Sequence, residues 1–437
     1  MQKRRNYFII VCSVAMMIGL FLQKNIVNAA TGDSLTVKKD GIIYDYVSTE
    51  DLGENGFGIG YDEEDASWDG WIKFDSDYLY QAFSTKVKQN QGAYIVIQKY
   101  QGSSSDIAIE NVINGKPVLY VGEHFYTADD DKESSKNFTI PENVMLLDIY
   151  FRQIQVDAKN AYYSSDTYTL YNKEKTKLLR ISKDATVLNI PDTVNTILDS
   201  KADKNFPGWR LAELSKLSAF NVASGNKSFS SKDGVLYNKK RTILLAYPSA
   251  KKTASYSMPN TVKDIASGAI RLQNNLKKVE ISKNVKYVTP DNLTDCKKLS
   301  KIIFKKGSKL KGLHIQSCTR LPALKSITLP KSIKAIGGGC FEDCKKLRTV
   351  TINSKKFDFY ADNSGDNSYD FSKITFKMKK GTTVTFAGYG FYGKSSNKNV
   401  LSSTWNKRGE CVLKAKKTGK ASLKAGKETR MKIQITN

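Results

Sequence analysis

The sequence predicts a mainly β solenoid, because short apolar segments recur along the chain at a nearly constant interval. Four of them share the pattern L-x-x-φ-x-φ, in which φ is apolar, and they begin at Leu276, Leu299, Leu324 and Leu347. These leucines are 23, 25 and 23 residues apart, and a period near 23 with this pattern is typical of a leucine-rich solenoid. One such repeat is too small to bury its own apolar face, so neighbouring repeats must stack and share a core.

Residues 1–29 have the pattern of a secretory signal peptide. A basic start at 3–5 precedes a mostly apolar run at 7–22, and small residues at 27–29 allow cleavage after Ala29. An uncleaved anchor is the alternative, although the apolar run of 16 residues is short for a spanning helix. The last residues, 434–437, carry no hydrophobic tail and no sortase-type sorting signal. We therefore expect an exported protein with no transmembrane segment after cleavage and no covalent wall anchor.

A longer repeat lies upstream of the four leucine segments. Residues 151–179 match 217–245 at an offset of 66, which places Asn160 onto Asn226. In both copies an apolar residue followed by proline comes next, in Ile190-Pro-Asp-Thr-Val194 and Met258-Pro-Asn-Thr-Val262. We call this the apolar-Pro step; its offset is two residues longer than that of the preceding match. An unrelated globular domain would not repeat itself over so many positions, so we assign residues 93–357 to one solenoid.

The repeats resemble the BspA-like leucine-rich repeats (type 5) of bacterial surface proteins. Their consensus is A-F-x-x-C-x-x-L-x-x-I-x-I-P-x-x-V-x-x-I-G, and Gly339-Cys-Phe-Glu-Asp-Cys-Lys-Lys-Leu347 and Leu324 to Gly337 follow it closely. The resemblance covers about 93–356 and departs from the consensus at 197–216 and in a basic loop at 306–316. It implies adhesion to, or binding of, host and bacterial surface components, with no general rule for the ligand.

Residues 30–92 are predicted to cap the first repeat, because a terminal repeat must hide its apolar face from water. Within this region, Gly41-Ile-Ile-Tyr-Asp-Tyr46 is interpreted as an edge strand, and 52–69 is acidic and rich in glycine. Trp68 and Trp71 leave an alternative open, since tryptophans beside carboxylates suit sugar stacking. In that case, this region would hold a carbohydrate-binding patch.

The C-terminal region is predicted to be a linker or end loop at 358–372 followed by a small β-sandwich at 373–437. Short runs of alternating apolar residues bounded by turn residues favour the sandwich. Lys380-Gly381, the stretch 396–400 and Lys417-Thr-Gly-Lys-Ala421 resemble the bacterial Ig-like group 2 module. Trp405 follows the Ser-Ser-Asn step, whereas the module normally has tryptophan before it. An alternative keeps 374–378 as the last solenoid strand.

Charge is distributed unevenly along a chain whose formal net charge is +26. Residues 31–150 contain 22 acidic and 9 basic residues, whereas 151–437 contain 21 acidic and 56 basic residues. A field of this size attracts polyanions, and the excess of lysine over arginine favours diffuse attraction over bidentate phosphate recognition. For an exported protein, this predicts teichoic acid-like envelope polymers as partners, whereas a merely solvated lysine-rich surface is the alternative.

Few residues suit catalysis or metal binding. The two histidines, His124 and His314, lie in no metal or catalytic motif, and the spacing of His314 to Cys318 only weakly suggests a thiolate pair. Cys296, Cys318 and Cys344 hold the same position in successive repeats, which predicts a buried row of small apolar side chains. The acidic stretches 62–65 and 129–131 lack calcium-loop spacing. We expect no enzyme, no cofactor and no metal.

The remaining candidate site is the outward side of the strands, where side chains flank the second apolar residue of each segment. These side chains form a polar strip that suits a glycan or an extended peptide: Gln153, Gln155, Asn221, Lys278, Glu280, Lys301, Ser326, Thr328, Thr349 and Thr351.

The sequence thus predicts an exported, monomeric binding or adhesion protein of the cell surface. It would recognise envelope polyanions, or host surface proteins and glycans, without specific nucleic-acid binding. A spacer or coat protein without a specific ligand, and a carbohydrate-binding protein using Trp68 and Trp71, are the alternatives.

Overall fold

The computed structural model describes residues 36–52, 56–59, 70–73, 77–96, 100–122, 136–360, 371–387 and 393–437. The chain divides into two compact units, Met1–Thr167 and Tyr168–Asn437. This division falls inside the range 93–357 that the sequence assigned to one solenoid. The predicted signal peptide lies outside the described residues.

The described part of the first unit is mainly β and contains one helix, α1 (Asp77–Gln89). Its strands are β1 (Thr36–Lys39), β2 (Ile42–Val47), β3 (Gly56–Ile59), β4 (Gly70–Lys73), β5 (Ala93–Val96), β6 (Asp106–Ala108), β7 (Val112–Ile113), β8 (Lys116–Val121), β9 (Asn137–Ile140), β10 (Leu146–Leu147), β11 (Gln153–Val156) and β12 (Tyr163–Asp166).

Besides the antiparallel pair β3-β4, two larger sheets lie in the described part of the first unit. One has the order β1-β2-β5-β8-β10 and the other β11-β9-β6. In the first sheet, β5-β8 and β8-β10 are parallel, whereas β1-β2, β2-β5 and the side pair β7-β8 are antiparallel. Both pairs of the second sheet are parallel. Ile42–Val47 therefore has a neighbour on each side, and its interpretation as an edge strand is wrong. The outer strand is Thr36–Lys39, whose mostly exposed and partly charged residues gave no strand signal.

Helix α1 and the start of the first sheet share a small core. Phe83 and Val87 of the helix are buried and cluster with Ala93 and Ile95 of β5. The helix was not predicted, although Leu79, Phe83 and Val87 recur every four residues and indicate one apolar helical face.

The described residues of the second unit include one short helix, α2 (Gly208–Ala212), in the region where the consensus is lost. Its strands are β13 (Thr169–Asn172), β14 (Lys177–Ile181), β15 (Val187–Ile190), β16 (Thr196–Ile197), β17 (Ala219–Val222), β18 (Phe229–Lys232), β19 (Val235–Asn238), β20 (Ile243–Ala246), β21 (Ser255–Ser257), β22 (Asp264–Ile265), β23 (Lys278–Ile281), β24 (Tyr287–Val288), β25 (Lys301–Phe304), β26 (Gly312–Leu313), β27 (Ser326–Leu329), β28 (Ala335–Gly337), β29 (Thr349–Ile352), β30 (Lys356–Tyr360), β31 (Phe371–Lys379), β32 (Thr383–Ala387), β33 (Lys394–Ser395), β34 (Leu401–Trp405), β35 (Cys411–Ala415), β36 (Gly419–Ala425) and β37 (Glu428–Thr436).

Each leucine repeat contributes two strands to the second unit, one to each of two rows. The first row holds the L-x-x-φ-x-φ segments, paired in parallel as β21-β23-β25 and β27-β29-β31. The second row, β24-β26-β28-β30-β32, is parallel and unbroken. Val279, Ile302, Ile327 and Val350, the middle apolar residues of the four segments, are all buried between the rows. The predicted mainly β leucine-rich repeat fold is confirmed.

The 66-residue repeat has a structural cause in two buried asparagines. In the second unit, the side-chain amide of Asn226 donates to the carbonyl oxygens of Pro191 (2.7 Å) and Val194 (2.8 Å). Its side-chain oxygen accepts from the backbone N–H groups of Ser228 (2.9 Å) and Phe229 (2.7 Å). In the first unit, Asn160 makes the equivalent four bonds, to Pro141, Val144, Tyr162 and Tyr163. One polar side chain thus ties each repeat to the preceding apolar-Pro step.

The C-terminal strands form a two-sheet sandwich that continues both rows. One sheet continues as β31-β37-β36-β33 and the other as β32-β35-β34. Strand β37 is parallel to β31, and the remaining pairs beyond β31 and β32 are antiparallel. One apolar core extends without interruption from Tyr171 to Ile435. Membership of this sandwich in the bacterial Ig-like group stays a prediction.

The predicted linker at 358–372 is in part a strand. Residues 356–360 form β30, which pairs on both sides with neighbours in the second row. Phe371–Lys379 forms β31, so the alternative that 374–378 is a further strand of the first row describes the structure. Residues 361–370 lie outside the described range. Residues 356–360 form a strand rather than a linker because Phe357 and Phe359 are buried in the common core, whereas a linker would leave them exposed.

Candidate functional site

The predicted outward residues of the second unit come together in register on the first row. Lys278 lies opposite Lys301, and Ser326 lies opposite Thr349. Thr328 is likewise paired with Thr351. Parallel neighbours are about 4.8 Å apart, so these side chains form two lines across the strands. We refer to this surface as the β-face.

The other predicted residues lie further upstream. Gln153 and Gln155 are on β11 of the first unit, opposite Asn137 and Thr139 of β9. Asn221 is on β17 of the second unit, where its amide donates to the side-chain oxygen of Asn189 at 3.2 Å. The described residues thus place the predicted strip on strands in both units.

The charges of the β-face are partly paired. The Lys278 ammonium lies 2.7 Å from Oε1 of Glu280, and the Ser257 hydroxyl donates to Oε2 at 2.9 Å. The hydrogen bond from Lys278, followed by that from Ser257, lowers the pKa of Glu280 below its usual value. Lys301 is exposed and has no carboxylate within ion-pair distance among the described residues. It is therefore the cation most available to a ligand on this surface.

A groove of about 380 Å³ opens on the β-face between β25 and β27. Three predicted residues, Lys301, Ser326 and Thr328, line it together with Ile303 and Pro330. The groove coincides with the break in the first row, where β25 and β27 are not hydrogen-bonded to each other.

The sequence differs from the other repeats at the break. Between β23 and β25, the backbone N–H of Lys305 donates to Ile281, and between β27 and β29 that of Asn353 donates to Leu329. The equivalent residue after β27 is Pro330, which has no N–H to donate. This is also the one interval of 25 rather than 23 residues, so the repeats are offset here.

The cysteines occupy the buried positions predicted for them. Cys296, Cys318 and Cys344 are buried, and all five described cysteines are free thiols. Burial raises the pKa of Cys296 and Cys344 to about 12. The pKa of Cys318 is also raised, by a hydrogen bond with the Cys340 thiol and then by burial. These thiols do not become thiolates at neutral pH.

His314 does not form a catalytic pair with Cys318. Its ring is exposed and meets the ring of Tyr287 edge-on, with centroids 5.4 Å apart. No group of three or more histidine, cysteine or acidic residues in the described ranges could hold a metal ion.

Several predicted features lie outside the described residues. They are His124, Trp68 and the acidic stretches 62–65 and 129–131. Trp71 is on β4, but its side chain is not described.

The turns on the opposite side of the repeats form a second groove, of about 490 Å³, which the sequence did not predict. Leu272, Asp295, Arg320 and Asp343 hold equivalent positions there, each with φ between 52° and 58°. Asp295 accepts hydrogen bonds from the guanidinium groups of Arg271 (3.4 Å) and Arg320 (3.0 Å to Oδ2). Arginine and aspartate alternate here, so the charges largely cancel. We refer to this surface as the mixed edge.

Comparison with known families identifies the repeat. The family described as "BspA type Leucine rich repeat region" matches residues 246–364 and 316–413, in six copies. These ranges include the four L-x-x-φ-x-φ strands and the first strands of the C-terminal sandwich. The resemblance proposed from the sequence for 93–356 is therefore confirmed for the leucine-rich repeats within the matched ranges. Among curated proteins, the sequence has no significant match.

Several solved structures are similar to the chain at low identity. One is a leucine-rich repeat protein from Eubacterium ventriosum, with 15% identity, 74% of this chain and 95% of that chain covered, and a TM-score of 0.47. The pneumococcal vaccine antigen PcpA has 16% identity, coverage of 78% and 96%, and a TM-score of 0.41. A leucine rich cell surface protein from Faecalibacterium prausnitzii has 18% identity, coverage of 62% and 86%, and a TM-score of 0.36.

No helix in the described part of the chain is long and apolar enough to cross a membrane.

Proposed function

We propose, from the BspA-type leucine-rich repeat region at 246–413, that this chain is an exported, non-enzymatic binding protein of the bacterial surface. Its β-face recognises components of the cell envelope or of a host surface. Its basic C-terminal two-thirds hold it on anionic envelope polymers. The predicted signal peptide at 1–29 provides the export route.

The observation that carries this proposal is the groove at the break of the first row. Ligand sites are concave and combine apolar walls with a few placed polar groups. The groove joins the apolar Ile303 and Pro330 to the Lys301 ammonium and the hydroxyls of Ser326 and Thr328. Three of these five residues were selected as outward-facing from the repeat pattern alone. This composition fits a glycan or an extended peptide with an acidic group near Lys301.

Binding to isolated Gram-positive walls tests the envelope part of the proposal. The chain without residues 1–29 should bind walls that contain teichoic acid and should be released as salt rises, since exposed charges are screened beyond about 8 Å at physiological ionic strength. Walls stripped of teichoic acid should retain less protein. Binding that ignores both salt and teichoic acid would contradict retention by charge.

A substitution in the groove tests the β-face separately. Thr328→Tyr places a ring in the groove at an exposed strand position, and Thr404→Tyr is the matched control on β34, also exposed. Thr328→Tyr should weaken binding to host-cell or wall ligands that persists at high salt, whereas the control should not. Equal behaviour of the two variants would favour a spacer or coat protein without a specific ligand.

A further inference from the structure

Twelve of the 22 lysines between residues 276 and 383 lie on one side of the repeats. The turns that lead from the first row to the second occupy 282–286, 305–311, 330–334, 353–356 and 379–383, and none contains an aspartate or glutamate. Their exposed lysines are Lys283, Lys286, Lys306, Lys309, Lys311, Lys331, Lys334, Lys355, Lys356, Lys379 and Lys380. We refer to this set as the lysine edge. A twelfth, Lys305, is half-buried and donates to the carbonyl oxygen of Met258 at 2.6 Å.

Backbone hydrogen bonds stack these turns directly on one another. The N–H of Lys309 donates to the carbonyl of Lys283 (2.8 Å), and that of Lys311 to Lys286 (2.6 Å). The N–H of Lys334 in turn donates to Lys311 (2.7 Å). The lysine edge follows the unbroken second row, so it has no counterpart of the break that opens the β-face groove.

The charges of the lysine edge are not neutralised by any carboxylate among the described residues. None of these lysines has a carboxylate within ion-pair distance in the described ranges. The mixed edge differs, because there Asp295 is paired with Arg271 and Arg320. Adjacent turns are about 4.8 Å apart, which is less than the screening length of about 8 Å at physiological salt. The lysines therefore act as one positive line about 19 Å long across five turns.

We propose that the lysine edge is the binding site for a linear polyol-phosphate polymer, which lies along the stacking direction of the repeats. This inference rests on the proposed retention by envelope polyanions and assigns it to one surface. A flexible phosphodiester chain can place successive phosphates against successive turns. The edge contains lysine and no arginine, and ammonium groups bind phosphate as point charges without a fixed planar geometry. That tolerance suits a polymer whose phosphates have no fixed orientation.

Duplex DNA is a poorer match for this surface. It is a stiff rod with one charge per about 1.7 Å of axis, and its recognition draws on arginine contacts to base edges. The lysine edge offers one line of charge with no arginine, so we expect weaker binding of DNA than of a flexible polymer with the same number of phosphates.

The test compares two variants with equal loss of charge. One carries Lys286→Gln, Lys311→Gln, Lys334→Gln and Lys355→Gln on the lysine edge. The matched control carries Lys297→Gln, Lys298→Gln, Lys345→Gln and Lys346→Gln in the turns of the mixed edge. All eight lysines are exposed, so both variants should fold, which circular dichroism checks. The probe is fluorescent poly(glycerol phosphate) of defined length, titrated over a salt series.

When the logarithm of the binding constant is plotted against the logarithm of the salt concentration, the unmodified chain should give a slope of about −3 to −4. Five turns each neutralise one phosphate, and each such contact contributes about −0.7 to the slope. The lysine-edge variant should lose at least about tenfold in affinity and should have a shallower slope, because four of the eleven exposed lysines of the edge are removed. The control variant should lose less than about threefold. In lysine acetylation with mass-spectrometric readout, the polymer should protect the lysine edge and leave the four control lysines reactive.

Three results would overturn the inference. Equal losses in both variants would mean that net charge alone binds the polymer, which leaves the proposed envelope retention intact. Failure of the unmodified chain to bind the polymer, while it still binds walls, would assign the wall ligand another chemistry. If the chain binds duplex DNA with the same number of phosphates as tightly as the polymer, or more tightly, the choice of polymer would be overturned.

Discussion

Replacement of Asn226 by alanine should destabilise the second unit strongly. The Asn226 side chain is fully buried and makes four hydrogen bonds of 2.7 to 2.9 Å. Asn226→Ala leaves two carbonyl groups and two N–H groups without these partners. A buried polar group that loses its partner costs about 1–3 kcal/mol. The four costs are not additive, because a water can enter the vacated space, and we expect a loss of about 3–5 kcal/mol.

Urea denaturation of the purified chain, followed by circular dichroism, measures this loss. The matched control is Asn221→Ala, since Asn221 is exposed and makes one bond of 3.2 Å to Asn189. That variant should change the free energy of unfolding by less than about 0.5 kcal/mol. Asn160→Ala removes the same four bonds in the first unit and should destabilise it by a similar amount. A loss below about 1 kcal/mol for Asn226→Ala would refute the assignment of a structural role to this network.

Three further predictions concern the described residues of the second unit. Asp295→Asn should lower the free energy of unfolding by about 0.5–1 kcal/mol at neutral pH. Hydrogen bonding to Arg320, and then to Arg271, lowers the pKa of Asp295 in the folded state. The stabilisation by the Asp295 carboxylate is therefore present above the unfolded pKa near 3.9 and is lost as the pH falls through the lower folded pKa. The melting temperatures of the variant and of the unmodified chain should therefore converge in acid. The five buried cysteines should react with a thiol reagent at neutral pH only after unfolding in urea, and rapid labelling of the native chain would contradict their burial. Gly337→Ala should cost about 1–3 kcal/mol by overpacking, because a Cβ there would lie 2.5 Å from the backbone nitrogen of Ile315; an unchanged melting temperature would contradict this close approach.

The strand positions could be predicted from the sequence because the repeat pattern specifies them twice. The apolar residues of each L-x-x-φ-x-φ segment mark which side is buried, and the leucine spacing marks where the next strand lies. The outward residues followed from the same alternation, so the pairing of Ser326 with Thr349 and of Lys278 with Lys301 was accessible without coordinates.

The break in the first row was not predicted, although the proline and the longer leucine interval that accompany it are visible in the sequence. Pro330 fits the family consensus, and a proline after the strand is common to many repeats of this kind. Its effect depends on which neighbour would accept the missing hydrogen bond, and that pairing is a tertiary property. The lysine edge was missed for a similar reason. Its lysines are up to about 100 residues apart in the chain, and only the stacking of the repeats brings them into one line.

In the C-terminal sandwich, the strands were predicted from the sequence but their neighbours were not. Alternation with period two identifies a half-buried strand, but it does not say which strand is the neighbour. Phe376 is buried on β31, and its alternating segment would look the same in an independent domain. In the structure, β31 pairs with β29 of the repeats and with β37 of the sandwich.

Because the sandwich shares its core with the repeats, it also acts as the cap of the solenoid. A solenoid must cover the apolar face of its last repeat, and an open row of strands invites pairing with other chains. The sandwich covers that face with its own core residues, and one of its outermost strands is only two residues long, Lys394–Ser395. Because Phe357 and Phe376 belong to one core with Ile435, the sandwich is held to the repeats by buried side chains and by both sheets. The lysine turns at 353–356 and 379–383 are fixed by the same pairing, since β30 and β32 are hydrogen-bonded neighbours. The C-terminal strands therefore extend the proposed binding edge by one turn as well as closing the fold.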